Sequence, residues 1–177
     1  MSCTISKGRK EPCKDKVGGL YKVYFANFGT LTGLTYSVDG SVSGTTEASV
    51  YEYELKGTNS FTQSMVSNRE NGTTTVTQTL TISLKGLDAA TSNEIKLLAY
   101  GRPHAIITDN NGNSWLAGKD FGLELTTGDA NTGTAMGDAY AYTLTLVGTE
   151  KAYANYVTNS TLADPLGDIT ATIVVGS

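Results

Sequence analysis

The chain has few of the side chains that usually carry out chemistry, with two cysteines and one histidine among 177 residues. A structural zinc site takes about four ligands, and these soft ligands fall short of that number. Any nucleophilic triad would have to pass through His104, and no Gly-x-Ser-x-Gly motif accompanies it. We therefore expect a structural histidine, no metal, no cofactor and no enzymatic activity.

Long apolar runs and strong charge are also missing. No run is long enough to cross a bilayer, and no apolar segment follows the basic N-terminus, so we expect neither a membrane span nor secretion. In a cytoplasm Cys3 and Cys13 would stay free thiols. A disulfide between them, which would close a small loop, is the alternative. The net charge of −4 disfavours general nucleic-acid binding, which needs clustered lysine and arginine.

Proline is scarce, at 3 residues, whereas glycine is plentiful, at 20, and threonine recurs throughout. This profile is typical of an all-β protein with many short connections and a neutral polar surface. The length fits one domain over residues 1–177. We predict a β-sandwich or barrel of about ten strands with one short flanking α-helix and a long protruding β-hairpin.

The predicted hairpin spans residues 59–85. Over residues 75–84, threonine or serine holds the odd positions and mostly apolar residues hold the even ones. Such alternation indicates a strand with one face on a core and the other in water. Residues 61–66 alternate less cleanly, and residues 67–72 have turn chemistry. We expect another copy of the chain to cover the projecting edge.

One helix of about nine residues is predicted after the hairpin. Thr91 and Glu94 have the spacing of a capping box, with Thr91 as the N-cap. Ile95, Leu98 and Ala99 then repeat at helical spacing and predict one buried stripe. Gly101 ends the helix.

The remaining chemistry-bearing patterns have simpler structural explanations. Glu52 and Glu54 alternate on a strand, which fits a solvated face better than a catalytic pair. Residues 109–113 partly match a calcium loop, but the other ligand positions are missing, and Asn111-Gly112 suits the positive φ values of a tight hairpin. Trp115 is expected in the core or an interface.

The two ends and one loop lack a hydrophobic pattern. Residues 1–19 form a basic arm, which fits a solvated arm better than a phosphate site and could pair with acidic groups of a neighbouring subunit. Residues 121–126 predict a strand, and residues 127–138 predict a loop that is mobile or ordered by a neighbour. Residues 152–177 form a connector and a final strand.

Four runs carry a resemblance to a known family: IITDNNGNSWL (106–116), GKDFGLELTTG (118–128), TGTAMGD (132–138) and YTLTLVGTE (142–150). They resemble the C-terminal half of tail tube (major tail) proteins of tailed bacteriophages. The predicted organisation, with a sandwich or barrel, a flanking helix, a long hairpin and extended arms, resembles that family too.

The resemblance implies a structural virion protein of the tail, made in the host bacterial cytoplasm. It implies rings, commonly hexamers, that stack into a hollow tube through which DNA passes without sequence recognition. The partners would be further copies, other tail proteins and no membrane. The hairpin would supply the lumen or subunit interface through Phe61, Gln63, Met65, Thr75, Thr77, Thr79 and Thr81. Contacts between rings would come from Lys7, Arg9, Lys10, Lys14, Asp129, Asn131 and Asp138.

Several alternatives stay open. The hairpin face that meets the bore is not determined, and our hypothesis is the threonine face. Another virion role, such as a connector ring, a tail terminator or a head decoration, would use a similar fold. A carbohydrate-binding β-sandwich would use Trp115 and several tyrosines as a sugar platform.

Overall fold

The computed structural model describes residue 5 and residues 7–176, and 49% of the chain is strand and 7% is helical. The predicted all-β class is confirmed. The strands are β1 (Leu20–Ala26), β2 (Leu34–Tyr36), β3 (Ser41–Glu54), β4 (Ser60–Asn68), β5 (Thr73–Lys85), β6 (His104–Asp109), β7 (Ser114–Ala117), β8 (Glu124–Asn131), β9 (Ala141–Glu150), β10 (Asn155–Val157) and β11 (Ile169–Val175), and helix α1 (Ala89–Tyr100) lies between β5 and β6.

The strands form two sheets. The four-stranded sheet has the order β4-β5-β9-β8 and is antiparallel throughout. In the seven-stranded sheet, hydrogen-bonded pairing runs β1-β6-β7-β10-β3 and returns from β3 to β1. Strands β2 and β11 add to the long strand β3, and β10 and β11 run parallel to it.

The core has two parts, one on each face of the seven-stranded sheet. Alternation along β1 sends Val23 and Phe25 to one part and Tyr24 and Ala26 to the other. The first part also contains Leu80, Ile82, Leu144 and Leu146 of the four-stranded sheet, so it joins the two sheets. Every residue of β6 is buried, as expected for a strand covered on both faces.

A buried polar junction ties the sheets together at Gly118. The side-chain oxygen of Gln78, on β5, accepts a hydrogen bond from the Gly118 N–H at 2.9 Å. Nδ1 of His104, at the start of β6, donates to the Gly118 carbonyl at 2.6 Å, while its Nε2 accepts from the Gly29 N–H at 3.0 Å. Both ring nitrogens are therefore engaged with backbone, which fits a structural histidine.

The helix begins earlier than predicted, and the predicted capping box is wrong. Asp88 is the N-cap, and its carboxylate accepts hydrogen bonds from the N–H and the hydroxyl of Thr91, both at 2.7 Å. Asp88 is as good a cap as threonine, and Ala89 and Ala90 extend the helix toward it. The hydrogen bonds from Thr91 lower the pKa of Asp88. The predicted end at Gly101 is confirmed.

The helix face is only half-buried. Ile95 and Leu98 pack against the core between the sheets, as expected, but Ala99 is exposed. No residue of α1 is fully buried. The predicted buried stripe is therefore a partly covered one.

Three strand boundaries also differ from the predictions. The alternation of Tyr51, Tyr53 and Leu55 with Glu52 and Glu54 predicts a strand over residues 50–55 only, whereas β3 covers 14 residues. Its first half consists mostly of small polar residues and is held by pairing with β2, β10 and β11. The predicted strand over residues 121–126 is shifted to Glu124–Asn131. The connector after residue 152 contains the short strand β10.

We predict that Gln78→Met lowers the free energy of unfolding by about 1–3 kcal/mol, because the buried Gly118 N–H loses its acceptor while the volume is nearly kept. Urea denaturation measures the change. Thr77→Val, one position away on the solvent side of the same strand, is the matched control and should stay within about 0.5 kcal/mol of the parent. Equal stability of the two variants would contradict a contribution of the Gln78–Gly118 hydrogen bond to the free energy of unfolding.

We also predict that stability falls as the pH drops below the ordinary histidine value. Burial lowers the pKa of His104 from 6.5, so the unfolded chain takes up a proton that the folded chain resists. The free energy of unfolding should be constant above about pH 7.5 and should decrease between about pH 6.5 and pH 5.5. Urea denaturation across this range tests it. His104→Gln should lack this decrease, since His104 is the only histidine.

Candidate assembly surface

One face of the four-stranded sheet is covered with hydroxyl groups, and we call it the hydroxyl face. Residues directly opposite in antiparallel strands share a face. Thr77 lies opposite Ser64 and Thr149, and Thr81 lies opposite Ser60 and Thr145. The same register also places Val66, opposite Thr75, and Val147, opposite Thr79, on this face. Its hydroxyl residues are Ser60, Thr62, Ser64, Thr75, Thr77, Thr79, Thr81, Ser83, Thr127, Thr143, Thr145 and Thr149.

The alternation predicted for β5 is confirmed. Val76, Leu80 and Ile82 are buried, whereas the odd positions stay exposed or half-buried. The prediction missed the matching hydroxyl rows on β4 and β9. Thr143 and Thr145 alternate with Leu144 and Leu146, so the sequence of β9 shows the same alternation of hydroxyl and apolar residues as β5. The pairing that places β9 beside β5 is not visible in the sequence.

The hydroxyl face is nearly neutral. Glu124, Asp129 and Lys85 are the charged residues that the strand register places on it. Lys85 lies opposite Ala141, whereas Glu124 lies opposite Val147 and Asp129 opposite Thr143. Such a face presents neutral hydroxyl groups to solvent and offers few positively charged contacts to a phosphate backbone.

The predicted hairpin residues divide between two faces. Phe61, Gln63 and Met65 lie opposite Leu80, Gln78 and Val76, on the side that faces the seven-stranded sheet. Thr75, Thr77, Thr79 and Thr81 lie on the hydroxyl face. The seven residues therefore do not line one surface. The error is one of register, because a shift of one residue moves every side chain of a strand to the other face.

The three residues on the inner side also differ in their surroundings. Phe61 packs against the core, 6.4 Å from Trp115 between ring centroids. The side-chain oxygen of Gln63 accepts a hydrogen bond from the Ala154 N–H at 2.7 Å. Met65, nearer the hairpin turn, is 44% exposed.

The edges of the four-stranded sheet differ from the expectation. The far side of β5 is paired with β9 from Val76 to Lys85, so the chain itself covers the edge assigned to a second copy. Within the described residues, β4 and β8 each pair on one side and form the two edges. Strand β4 contains nine residues and no charged side chain or proline. Soluble proteins usually protect an exposed edge with such residues.

The basic arm is exposed along its described length and fixed at its end. Lys7, Arg9, Lys10 and Lys14 are all exposed. Near the end of the arm, the N–H of Val17 donates to the Asn111 side chain at 3.0 Å, and the Val17 carbonyl accepts from it at 2.7 Å. Cys3 lies outside the described residues, so the structure does not test its pairing with Cys13.

The turn that holds the arm is organised by a carboxylate. Asp109 accepts hydrogen bonds from the N–H groups of Asn111 and Asn113 at 2.9 and 2.8 Å and from both of their side chains. Only Gly112 of the predicted Asn-Gly pair has a positive φ, of +84°. The Asp109 oxygens therefore serve the turn itself.

Two of the three residues predicted for inter-ring contacts in this region lie in a strand and not in a loop. Asp129 and Asn131 belong to β8, opposite Thr143 and Ala141, so the predicted loop over residues 127–138 is wrong in its first part. We call residues 132–140 the β8–β9 loop. Asp138 accepts hydrogen bonds from the N–H groups of Thr134 and Ala135 at 2.9 and 2.7 Å, which lower its pKa.

A pocket of about 310 Å³ lies beside the start of β4. We call it the aromatic pocket, because Phe61, Trp115 and Tyr156 line it together with residues 17–20 at the end of the arm. Trp115 is half-buried, 5.5 Å from Tyr156 between ring centroids. Three polar side chains of the pocket, those of Asn59, Gln63 and Asp109, already form internal hydrogen bonds.

Comparisons with protein-family models, with curated proteins and with solved structures found no match to this chain. Across the described residues, no helix has both the length and the apolar character needed to cross a membrane. The same residues contain no cluster of three histidine, cysteine or acidic side chains placed to hold a metal ion. The resemblance to tail tube proteins stays a prediction.

We predict that lysines on the hydroxyl face would create DNA binding that the parent protein lacks. A Thr77→Lys, Thr79→Lys variant should bind a labelled duplex in fluorescence anisotropy, with an affinity that falls steeply as salt rises. The matched control is Thr77→Val, Thr79→Val, which keeps the shape and stays neutral. Strong DNA binding by the parent or by the valine variant would contradict this prediction.

Proposed function

We propose that this chain is a non-enzymatic structural subunit whose four-stranded sheets join edge to edge into rings. The rings would stack into the hollow tail tube of a bacteriophage, the conduit for its DNA. The observation that carries the proposal is a sheet whose two edges and nearly neutral hydroxyl face have no partner among the residues that the structure describes. The residues that resemble tail tube proteins support the same assignment.

The strand directions support this way of joining. Neighbouring strands of the sheet are antiparallel, so β4 and β8 at its two edges run in opposite directions. When copies are placed side by side in the same orientation, β8 of one copy meets β4 of the next in an antiparallel pair. Head-to-tail contacts of this kind generate rings when the rotation closes, and closure removes every free edge.

The dimensions of such a ring suit DNA passage. Six copies, the number implied by the resemblance, would form a barrel of about 24 strands. With strands about 4.8 Å apart and tilted by about 40°, its circumference is about 150 Å and its backbone diameter about 48 Å. The bore therefore remains wide after side chains are added.

The packing of the two sheets supports one choice of the face that would meet the bore. The other face of the four-stranded sheet carries the core shared with the seven-stranded sheet, so the hydroxyl face would line the lumen. A nearly neutral lumen makes few contacts that release counterions from DNA, and the duplex could slide through it. This assignment supports the threonine-face hypothesis.

The β-sandwich and the protruding hairpin are part of the same proposal. The two packed sheets would correspond to the β-sandwich of a tube subunit. Pairing between β5 and β9 ends at Val76 and Glu150, while β4 and β5 continue pairing to Asn68 and Thr73. We assign this last part as the protruding tip of the hairpin, directed toward a neighbouring ring.

The alternatives predict different assemblies. A connector ring, a tail terminator or a head decoration could use the same edges but would not form an open-ended stack. A carbohydrate-binding role is less well supported, because the side chains of Asn59, Gln63 and Asp109 around Trp115 already form internal hydrogen bonds.

Negative-stain electron microscopy of the purified protein over a concentration series tests the proposal. Stacked rings or tubes of uniform diameter are the expected result. Discrete single rings would favour a connector or terminator. A monomer at every concentration would contradict self-assembly, and glycan-binding assays would then test the sugar-platform alternative.

We predict that one of two adjacent proline substitutions in β4 abolishes assembly without unfolding the subunit. N–H groups alternate in direction along an edge strand, so either Ser64 or Met65 directs its N–H away from β5. Proline at that position removes an edge donor and spares the β4–β5 pairing. Thermal unfolding identifies the variant that stays folded, and microscopy should find it monomeric. Unchanged assembly by that variant would contradict edge pairing.

A further inference from the structure

We propose that Met136 of one copy inserts into the aromatic pocket of the next copy and anchors the joint between their sheets. The inference rests on the proposed edge-to-edge ring and names the contact that would hold it. Met136 is fully exposed at the tip of the β8–β9 loop. The pocket at the other edge of the sheet is lined by Phe61, Trp115 and Tyr156.

The strand directions bring the two features together. The aromatic pocket lies beside the first residues of β4, and the β8–β9 loop follows the last residue of β8. Because β4 and β8 run in opposite directions, the start of β4 and the end of β8 lie at the same end of the sheet. Joining β8 of one copy to β4 of the next therefore places the loop beside the pocket.

The loop is built to present its tip. Asn131 accepts a hydrogen bond from the Gly133 N–H at 2.9 Å, and Asp138 holds the backbone of Thr134 and Ala135 from the other side. A tip fixed before binding loses little conformational entropy on docking. Methionine suits an aromatic pocket, because its flexible chain fits irregular spaces and its sulfur packs well against ring edges.

Charge complementarity surrounds the contact. The arm that ends at the pocket has a net charge of +3 over residues 7–17, with five basic and two acidic side chains. The segment that carries the loop has a net charge of −3 over residues 124–140, from Glu124, Asp129 and Asp138 without any lysine or arginine. Most of these groups are predicted for contacts between rings, whereas the docking proposed here uses them within one ring. Among the described residues, the two salt bridges join Lys22 to Glu52 and Glu54, and neither involves the arm or this segment. A second copy of this chain is therefore the occupant that fits the pocket.

The only tryptophan reports on this pocket directly. In a dilution series, Trp115 emission should shift as the copies associate, and Met136→Ala should move the midpoint to about tenfold higher concentration or more. Met136→Leu keeps the apolar bulk and should stay near the parent. Val38→Ala is the matched control, because Val38 is also fully exposed but lies in the β2–β3 turn.

Cross-linking tests the geometry. In a background with Cys3 and Cys13 changed to serine, a Val17→Cys subunit is mixed with a Met136→Cys subunit and treated with a short bismaleimide. Val17 lines the pocket at the end of the arm and is 60% exposed. A cross-linked pair of the two subunits is expected, while Val17→Cys mixed with Val38→Cys should give none.

The outcomes separate the two proposals. If the parent forms rings, Met136→Ala assembles at the same concentration and no Val17–Met136 cross-link forms, the docking inference is wrong and the ring proposal stands. If the parent stays monomeric at every concentration, both are overturned. Cross-linking together with the shifted midpoint supports both.

Discussion

The structure depends on the hydrogen bonds that hold the backbone of Gly118 between the two sheets. Gln78 reaches it from the four-stranded sheet and His104 from the seven-stranded sheet. Gly118 has a φ of +66°, and a Cβ there would lie 2.8 Å from the Gly122 backbone, so glycine is required. Because buried polar groups are costly when unpaired, this junction allows one relative placement of the sheets.

The segment after Gly118 extends the same constraint to a third strand. The carboxylate of Glu150, at the end of β9, is buried and accepts hydrogen bonds from the N–H groups of Asp120 and Phe121. Strands β5, β6 and β9 are thus fixed to one short segment of chain. Since the inner face of the four-stranded sheet is committed in this way, its outer face and its two edges are the surfaces left for other molecules.

The orientation of a strand could be predicted where its own sequence alternates between polar and apolar residues. It could not be predicted where it depends on the register with a neighbouring strand. The alternation of β-branched and apolar residues was enough to orient β5. Phe61, Gln63 and Met65 were grouped with the wrong face because their pairing to β5 depends on register, which β4 alone does not encode. The alternation along β5 predicts that Gln78 lies on the core side, but its acceptor role needs Gly118, 40 residues away. No local pattern could have supplied that contact.

The two edges of the sheet are chemically unlike, and this difference favours a ring over a twofold dimer. A β8–β8 pair would bring Glu124 and Asp129 of two copies together, and like charges across strands are destabilising. Strand β4 has no charge of its own to oppose β8, and the basic arm lies near its start. Pairing β4 with β8 therefore avoids repulsion and joins opposite charges. Each copy then leaves one edge of each kind free, so addition continues until the ring closes.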